Sequence, residues 1–220
     1  MKTWTGSLAV LAGLGLAANA SAQADFQITE AYTGISGPDG TADWLEISNL
    51  GDAAGSLLGL AVDDESADFT AGGDLPDFTL TPGASVVVLI DLDPGTTAAE
   101  IADFEAVWGT GIDVIGVEGG GSFGGGGDAA VLLDGVDSPV DFLVTPGDLS
   151  GLLATITDID GDGSSAGAIL GFEGAFESNP FANDNFPGGT VTLVGSPGVV
   201  PEPASVALLA VAGFALIRRR

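Results

Sequence analysis

Ser85-Val86-Val87-Val88-Leu89-Ile90 is the stretch that decides the fold. From Val86 onward it is apolar at every position and rich in β-branched side chains, so neither face of the strand it forms can be left in water. Pro82-Gly83 precedes it and Pro94-Gly95 follows it, residue pairs whose backbone preferences turn the chain. A strand covered on both sides needs material packed above and below its sheet, which places this run at the centre of a layered domain.

Outward from that strand, shorter runs alternate. In Trp44-Leu45-Glu46-Ile47-Ser48, Leu45 and Ile47 point opposite to Trp44 and Glu46; in Phe26 to Tyr32, Phe26, Ile28 and Tyr32 are expected on one shared face. Further strands are predicted over Leu57 to Val62, Phe78 to Leu80, Ile112 to Val117, Ala129 to Leu133, Val140 to Val144, Leu152 to Thr157 and Thr190 to Val194. Turn residues at Pro38-Asp39-Gly40, Asp134-Gly135 and Pro146-Gly147 punctuate them, and 36 Gly with 11 Pro discourage long helices. The pattern predicts an all-β sandwich or barrel.

One helix is predicted, from Ala98 to Trp108, with Thr97 as N-cap and Glu100 completing a capping box. Ile101, Phe104, Val107 and Trp108 then fall on one side, expected to plug an end of the sandwich. Gly119 to Gly127 reads as a flexible connector, since it lacks the Gly-Lys-Ser/Thr ending of a phosphate loop. Phe172, Phe176, Phe181 and Phe186 are expected to pack inward.

The charges are partitioned along the chain. Lys2, Arg218, Arg219 and Arg220 are the only cationic side chains, and no Lys, Arg, His or Cys occurs from Thr3 to Ile217. Of the 31 carboxylates only Glu202 lies in the end segments, which leaves 30 in the domain between with no side-chain cation to pair with. Side-chain salt bridges and disulfides are therefore excluded inside the domain, and so is nucleic-acid binding, which draws its affinity from Lys and Arg. The apolar content of 45% is ample for a core, and the acids are expected to be mostly solvated or to hold metal ions. Mutual repulsion also argues for a monomer.

Both ends read as export signals. Residues 1–24 have a basic start at Lys2, an apolar run from Leu8 to Ala18 and small residues before a cut, the three parts of a signal peptide for signal peptidase. Ala20-Ser21-Ala22 and Ala22-Gln23-Ala24 both offer the small-x-small pattern, and cleavage after Ala24 is favoured over cleavage after Ala22. At the other end, residues 199–220 hold Pro201-Glu202-Pro203, an apolar run from Ser205 to Ile217 and Arg218-Arg219-Arg220. That run is short for a hydrocarbon core of about 30 Å, and a terminal arginine cluster stays cytoplasmic, so the helix it forms would sit in the membrane only transiently. The arrangement resembles the PEP-CTERM sorting signal, which implies an exosortase-type membrane protease as partner and an outer-surface or matrix destination in a Gram-negative-type bacterium.

The domain between, residues 25–198, resembles the lamin-tail domain. The matching text is Phe26-Gln27-Ile28-Thr29-Glu30-Ala31, Asp43-Trp44-Leu45-Glu46-Ile47-Ser48-Asn49, Leu57 to Asp63, Leu80-Thr81-Pro82-Gly83-Ala84-Ser85-Val86-Val87-Val88-Leu89, Gly127 to Asp134, Val140-Asp141-Phe142 and a closing Ser196-Pro197-Gly198. The resemblance implies an immunoglobulin-like β-sandwich serving as a binding or structural module, with no catalytic residues to carry over. Ser150 to Pro187 departs from it: the family's late tryptophan strand is replaced by an acidic, phenylalanine-rich segment.

Nucleophilic catalysis with a His, Lys or Cys and zinc binding of the usual His/Cys kind are excluded by composition. What remains is carboxylate chemistry. Asp158-Ile159-Asp160-Gly161-Asp162-Gly163 resembles the start of a calcium loop, with Asp158, Asp160 and Asp162 as oxygen ligands. The twelfth position is Ile169 where such a loop has Glu, and a solvated Asp/Gly turn is the competing reading. Asp63-Asp64-Glu65 reads as a charged loop. The functional expectation is a non-enzymatic protein of the cell surface or of an exopolysaccharide matrix. A carbohydrate- or protein-binding adhesin, with or without Ca²⁺, is the alternative, and a carboxylate-dependent hydrolase stands third.

Crowding of like charges raises carboxylate pKa values on average, so the folded chain should bind more protons than the unfolded one. Its melting temperature is therefore expected to rise as pH falls from 7 and as salt or Ca²⁺ is added. Melts across a pH series at constant salt and across a salt series at constant pH check this, and a midpoint indifferent to both variables would refute it.

Overall fold

Val86 to Leu89 are all fully buried, Val86 and Val88 in one apolar core and Val87 and Leu89 in a second on the opposite face. The computed structural model describes residues 22–34, 40–124, 127–135, 139–145, 153–158, 166–183 and 188–200. In chain order the first strands are β1 (Phe26–Tyr32), β2 (Trp44–Asn49), β3 (Gly55–Ser56), β4 (Ala61–Asp63), β5 (Gly73–Asp74), β6 (Thr79–Leu80) and β7 (Ser85–Leu89). The helix α1 (Thr97–Trp108) follows, then β8 (Val114–Gly116), β9 (Asp128–Leu133) and β10 (Pro139–Thr145). The late segment adds β11 (Ile156–Thr157), β12 (Ala166–Gly167), β13 (Phe176–Glu177), β14 (Phe181–Ala182), β15 (Thr190–Val191) and β16 (Val194–Gly195).

A six-stranded sheet in the order β12-β11-β1-β2-β7-β8 faces a four-stranded sheet in the order β10-β9-β4-β5. All pairings within them are antiparallel except β7 with β8. The first core lies between the sheets: Ile28, Leu45, Ile47, Val86 and Val88 from one meet Val62, Ala130, Leu132 and Leu143 from the other. The predicted all-β sandwich is thus present. The parallel step from β7 to β8 needs a crossover, and α1 makes it.

The helix covers the outer face of the larger sheet; it does not plug an end of the sandwich. Phe104, Val107 and Trp108 pack on Tyr32, Trp44, Val87 and Leu89. Trp44 is the hub, stacked on Tyr32 at 6.1 Å between ring centroids and edge-on to Phe104 at 5.8 Å and Trp108 at 6.0 Å. The expected capping box is absent. Thr96, not Thr97, is the N-cap, and its hydroxyl turns back to donate to the Asp93 carbonyl at 2.8 Å, which leaves the first turn without a side-chain cap.

Three further expectations are corrected. Leu57 to Val62 is not one strand: β3 ends before it at Ser56, a turn follows in which Leu60 N–H donates to the Leu57 carbonyl at 3.0 Å, and only Ala61 and Val62 enter β4. The glycine-rich connector is anchored: Phe123 is buried in the first core, and its N–H donates to Asp43 Oδ2 at 3.0 Å. Phe172 is 58% exposed, Phe176 and Phe181 pack partly into the second core, and Phe186 lies outside the described residues.

Asn49, wholly buried at the end of β2, fastens one edge of the sandwich. Its Oδ1 accepts the N–H groups of Asp25 at 3.1 Å and Gly51 at 3.0 Å, and its Nδ2 donates to the carbonyls of Ala53 at 2.8 Å and Leu80 at 3.0 Å. Every donor and acceptor position of the amide is used, and the four bonds join the start of the domain, the turn after β2 and β6 at one point.

Replacing Trp44 with alanine empties the second core at its centre and is expected to destabilise the domain by about 3–5 kcal/mol. Leu58→Ala, at a side chain 65% exposed, is expected to stay within about 0.5 kcal/mol of wild type. Urea unfolding followed by tryptophan fluorescence measures both.

Candidate functional site

β1 and β2 pair with Ile28 opposite Ile47 and Glu30 opposite Glu46, so Thr29 is one residue too many and the strand bulges. The extra residue reverses the facing of everything after it. Ile28 enters the core between the sheets, whereas Tyr32 enters the core under α1, so the expected shared face of Phe26, Ile28 and Tyr32 is split. Glu30 is carried to the outer face with Tyr32, and it lands beside Glu46.

Both glutamates are only 1% exposed. Like charges directly opposed across strands repel, and no side-chain cation exists in the domain to offset them. Neutral donors surround the pair instead. Glu30 Oε1 accepts the Ser196 N–H at 2.8 Å and the Thr155 hydroxyl, and Ser196 Oγ donates to Oε2 at 3.3 Å. Glu46 Oε1 accepts the Thr29 hydroxyl at 2.9 Å, while Oε2 accepts the Ser85 hydroxyl at 3.1 Å and the Gly198 N–H. Ser48 Oγ completes the set, 2.9 Å from Thr29 Oγ1.

Thr29 and Ser85 donate from β1 and β7, and the other donors come from the late part of the chain. Thr155 precedes β11, and Ser196 and Gly198 follow β16, so the two carboxylates on adjacent central strands clamp the last described segment onto the sheet. Gly195 permits the approach: a Cβ there would lie 2.9 Å from Glu30 Oε1 and 2.8 Å from the Trp108 ring.

Burial raises the Glu30 carboxyl to about 8, helped by the neighbouring Glu46 charge and opposed by the Thr155 and Ser196 hydrogen bonds. Burial raises Glu46 to about 7, opposed by Gly198, Thr29 and Ser85. Carboxyls in this range can in other settings act as general acid and base. Here every oxygen is engaged and neither side chain reaches solvent, so the pair offers no substrate a path to it and works as a clamp.

The predicted calcium ligands are placed only in part. Asp158 is 4% exposed and follows β11, where its N–H donates to the Thr29 carbonyl at 3.1 Å beside the bulge; Asp160 and Asp162 lie outside the described residues. Asp158 lies close enough to add its charge to that of Asp25 in raising the Asp141 carboxyl, for which burial is the larger cause. Asp141 Oδ2 in turn accepts the Ile28 N–H at 2.6 Å, a second carboxylate holding the bulged strand. Among the described residues no three acids are grouped so as to hold a metal ion. Asp63, expected in a charged loop, is 2% exposed; its Oδ2 accepts from Ser66 Oγ and Asp68 N–H, both at 2.7 Å, and ties down the turn after β4. The acids are thus less solvated than their number suggests: Glu30, Glu46, Asp63 and Asp158 are buried.

Of the processing positions, Ala22 and Ala24 are described, whereas Pro201, Glu202, Pro203, Arg218, Arg219 and Arg220 lie outside the described residues. Among the described residues no helix is long and apolar enough to cross a membrane. Comparison with family models, curated proteins and solved structures finds no match for this chain.

The Glu30 and Glu46 pair is the feature that sequence reasoning missed. A signal was present: Glu46 shares a strand face with Trp44, two residues away, and a face buried under one side chain is buried under its neighbour.

Both carboxyls titrate higher in the folded chain than at their unfolded value near 4.5, so the stability they contribute is complete below that value and is lost as pH rises through about 7 to 8. Glu46→Gln, whose amide can still accept from Gly198 and Ser85 while donating to Thr29, is expected to flatten the fall in melting temperature between about pH 5 and pH 8. Thermal melts of wild type and variant across that range decide it, and parallel curves would remove the pair as the cause.

Proposed function

We propose that this chain is an exported, non-enzymatic protein of the cell surface or of an exopolysaccharide matrix, built on a lamin-tail-like, immunoglobulin-type sandwich and sorted by an exosortase-type protease. The observation that carries the reading is the confinement of every cationic side chain to residue 2 and residues 218–220, flanking an acidic domain. Such a surface, hydrated and polyanionic, attracts divalent cations diffusely and repels phosphate backbones.

The clamp supports the sorting part of this reading. Its last contact among the described residues, at Gly198, falls three residues before Pro201, on the domain side of the Pro201-Glu202-Pro203 motif. Removal of the tail at that motif would leave in place every hydrogen bond that the carboxylate pair makes among the described residues. The sealed state of Glu30 and Glu46 also weighs against a hydrolase that uses them.

A second reading, an adhesin, is favoured by one observation. Val140, Phe142 and Val144 on one face of β10 are 44–50% exposed, as are Ile169, Leu170, Phe172 and Val199 to 38–66% on the late segment. Large apolar side chains left in water on an acidic domain suit a protein or glycan partner.

Cell fractionation and intact-mass measurement of the C-terminus test the sorting model: the mature surface form is expected to end before Arg220. Dominance of chains ending at Arg220 in the envelope would defeat it. Saturable binding on a glycan array, with or without Ca²⁺, would favour the adhesin over the scaffold.

A further inference from the structure

We propose that processing cuts the peptide bond between Ala22 and Gln23, and that the ammonium group so created at Gln23 docks on the Asp52 carboxylate. The inference rests on the export reading above and reverses the choice of Ala24 favoured by the sequence pattern. Hydrolysis of that bond leaves a carboxylate on Ala22 with the discarded segment and an amine on Gln23, which is protonated at neutral pH.

The geometry is already in place. Gln23 N–H donates to Asp52 Oδ1 at 2.7 Å, and the Gln23 carbonyl accepts the N–H groups of Asp52 at 3.1 Å and Ala53 at 3.3 Å. Two residues on, Asp25 N–H donates to Asn49 Oδ1 at 3.1 Å and the Asp25 carbonyl accepts Leu50 N–H at 2.8 Å. Residues 23–25 therefore pair with residues 49–53 as an added strip of the domain edge. A cut after Ala24 would strip the partners from Asp52 and Ala53; a cut after Ala22 spares them all.

The opposing loop is shaped to these two residues. A Cβ at Gly51 would fall 2.2 Å from the Gln23 carbonyl oxygen and 2.9 Å from the Ala24 carbonyl carbon, and a Cβ at Gly55 would fall 2.6 Å from Ala24 Cβ. Glycine at both positions is what lets Gln23 and Ala24 lie against the loop, and Asn49, with all four of its hydrogen bonds made, fixes the loop that receives them.

Charge gives the same answer. With Lys2 removed, the domain has no cationic side chain, so the new α-ammonium becomes the one positive group next to many carboxylates. It arises 2.7 Å from a carboxylate oxygen without any movement of the chain. A neighbouring negative charge raises the amine pKa and keeps it protonated. That has a chemical consequence for glutamine, because an unprotonated N-terminal amine attacks its own side-chain carboxamide, closes a lactam ring and expels ammonia. Held as ammonium by Asp52, the nitrogen has no lone pair for that attack.

The test is expression of the full-length gene in a Gram-negative host, followed by mass spectrometry of the N-terminal peptide from the exported fraction. The expected product starts at Gln23 with a free amine. A start at Asp25, or at any other processed residue, overturns the proposal and leaves export standing; a start at Met1 or Lys2 in the envelope sinks the export reading and the proposal with it. A start at cyclised Gln23 overturns the docking. In Asp52→Asn the amine should be modified by an amine-selective reagent at pH 7 roughly threefold faster, the ratio for about half a pKa unit. Equal rates would show that Asp52 does not hold the amine.

Discussion

In a domain without a single cationic side chain, a buried carboxylate has two means of stabilisation: neutral hydrogen-bond donors, or a proton of its own. The Glu30 and Glu46 pair uses both. Thr29, Ser85, Thr155, Ser196 and the backbone of Gly198 supply donors, and burial holds the carboxyls where they keep protons near neutral pH. The donors come from strands far apart in sequence, so satisfying two side chains fixes the closing segment to the middle of the sheet. Asp63 and Asp141 repeat the device on a smaller scale, each tying a turn or a strand through backbone N–H groups. The polar architecture of this fold follows from that one shortage.

Much of the apolar architecture was legible in the sequence. Val86 to Leu89 had to be covered on both sides because no position in the run is polar, and the two cores found on its faces are the cover. Leu45 and Ile47 faced away from Trp44 for the same simple reason, a period of two. The site was not legible, because its formation depends on the bulge at Thr29. Periodicity assumes one residue per pleat; the inserted residue shifted Tyr32 and Glu30 to a face the pattern did not assign them. Nor could spacing anticipate that the helix would start one residue early, with Thr96 at the N-cap in place of the expected Thr97 and its hydroxyl donating to the Asp93 carbonyl.

The late segment shows a different limit. Phe172, Phe176 and Phe181 are alike in sequence, yet one is exposed and two are packed, because β13 pairs with β16 and carries Phe176 against Trp108, while the turn that follows Ile169 faces out. Two-residue strands are set by the surface they land on, and that surface is assembled from distant parts of the chain. Composition did limit what function remained: with no His, Lys or Cys available, the polar chemistry of the domain is that of carboxylates, hydroxyls and amides.

Asn49 has a consequence for chemical ageing. Asparagine deamidates when the next backbone nitrogen swings onto the side-chain carbonyl carbon and closes a five-membered imide. In this protein that nitrogen, on Leu50, is committed to the Asp25 carbonyl at 2.8 Å, and the amide it would attack is held at both ends. With that nitrogen engaged, closing the imide requires Leu50 to leave Asp25 first, so the folded edge slows conversion of Asn49 to aspartate, which in this cation-free interior would add a charge with no side-chain cation to receive it.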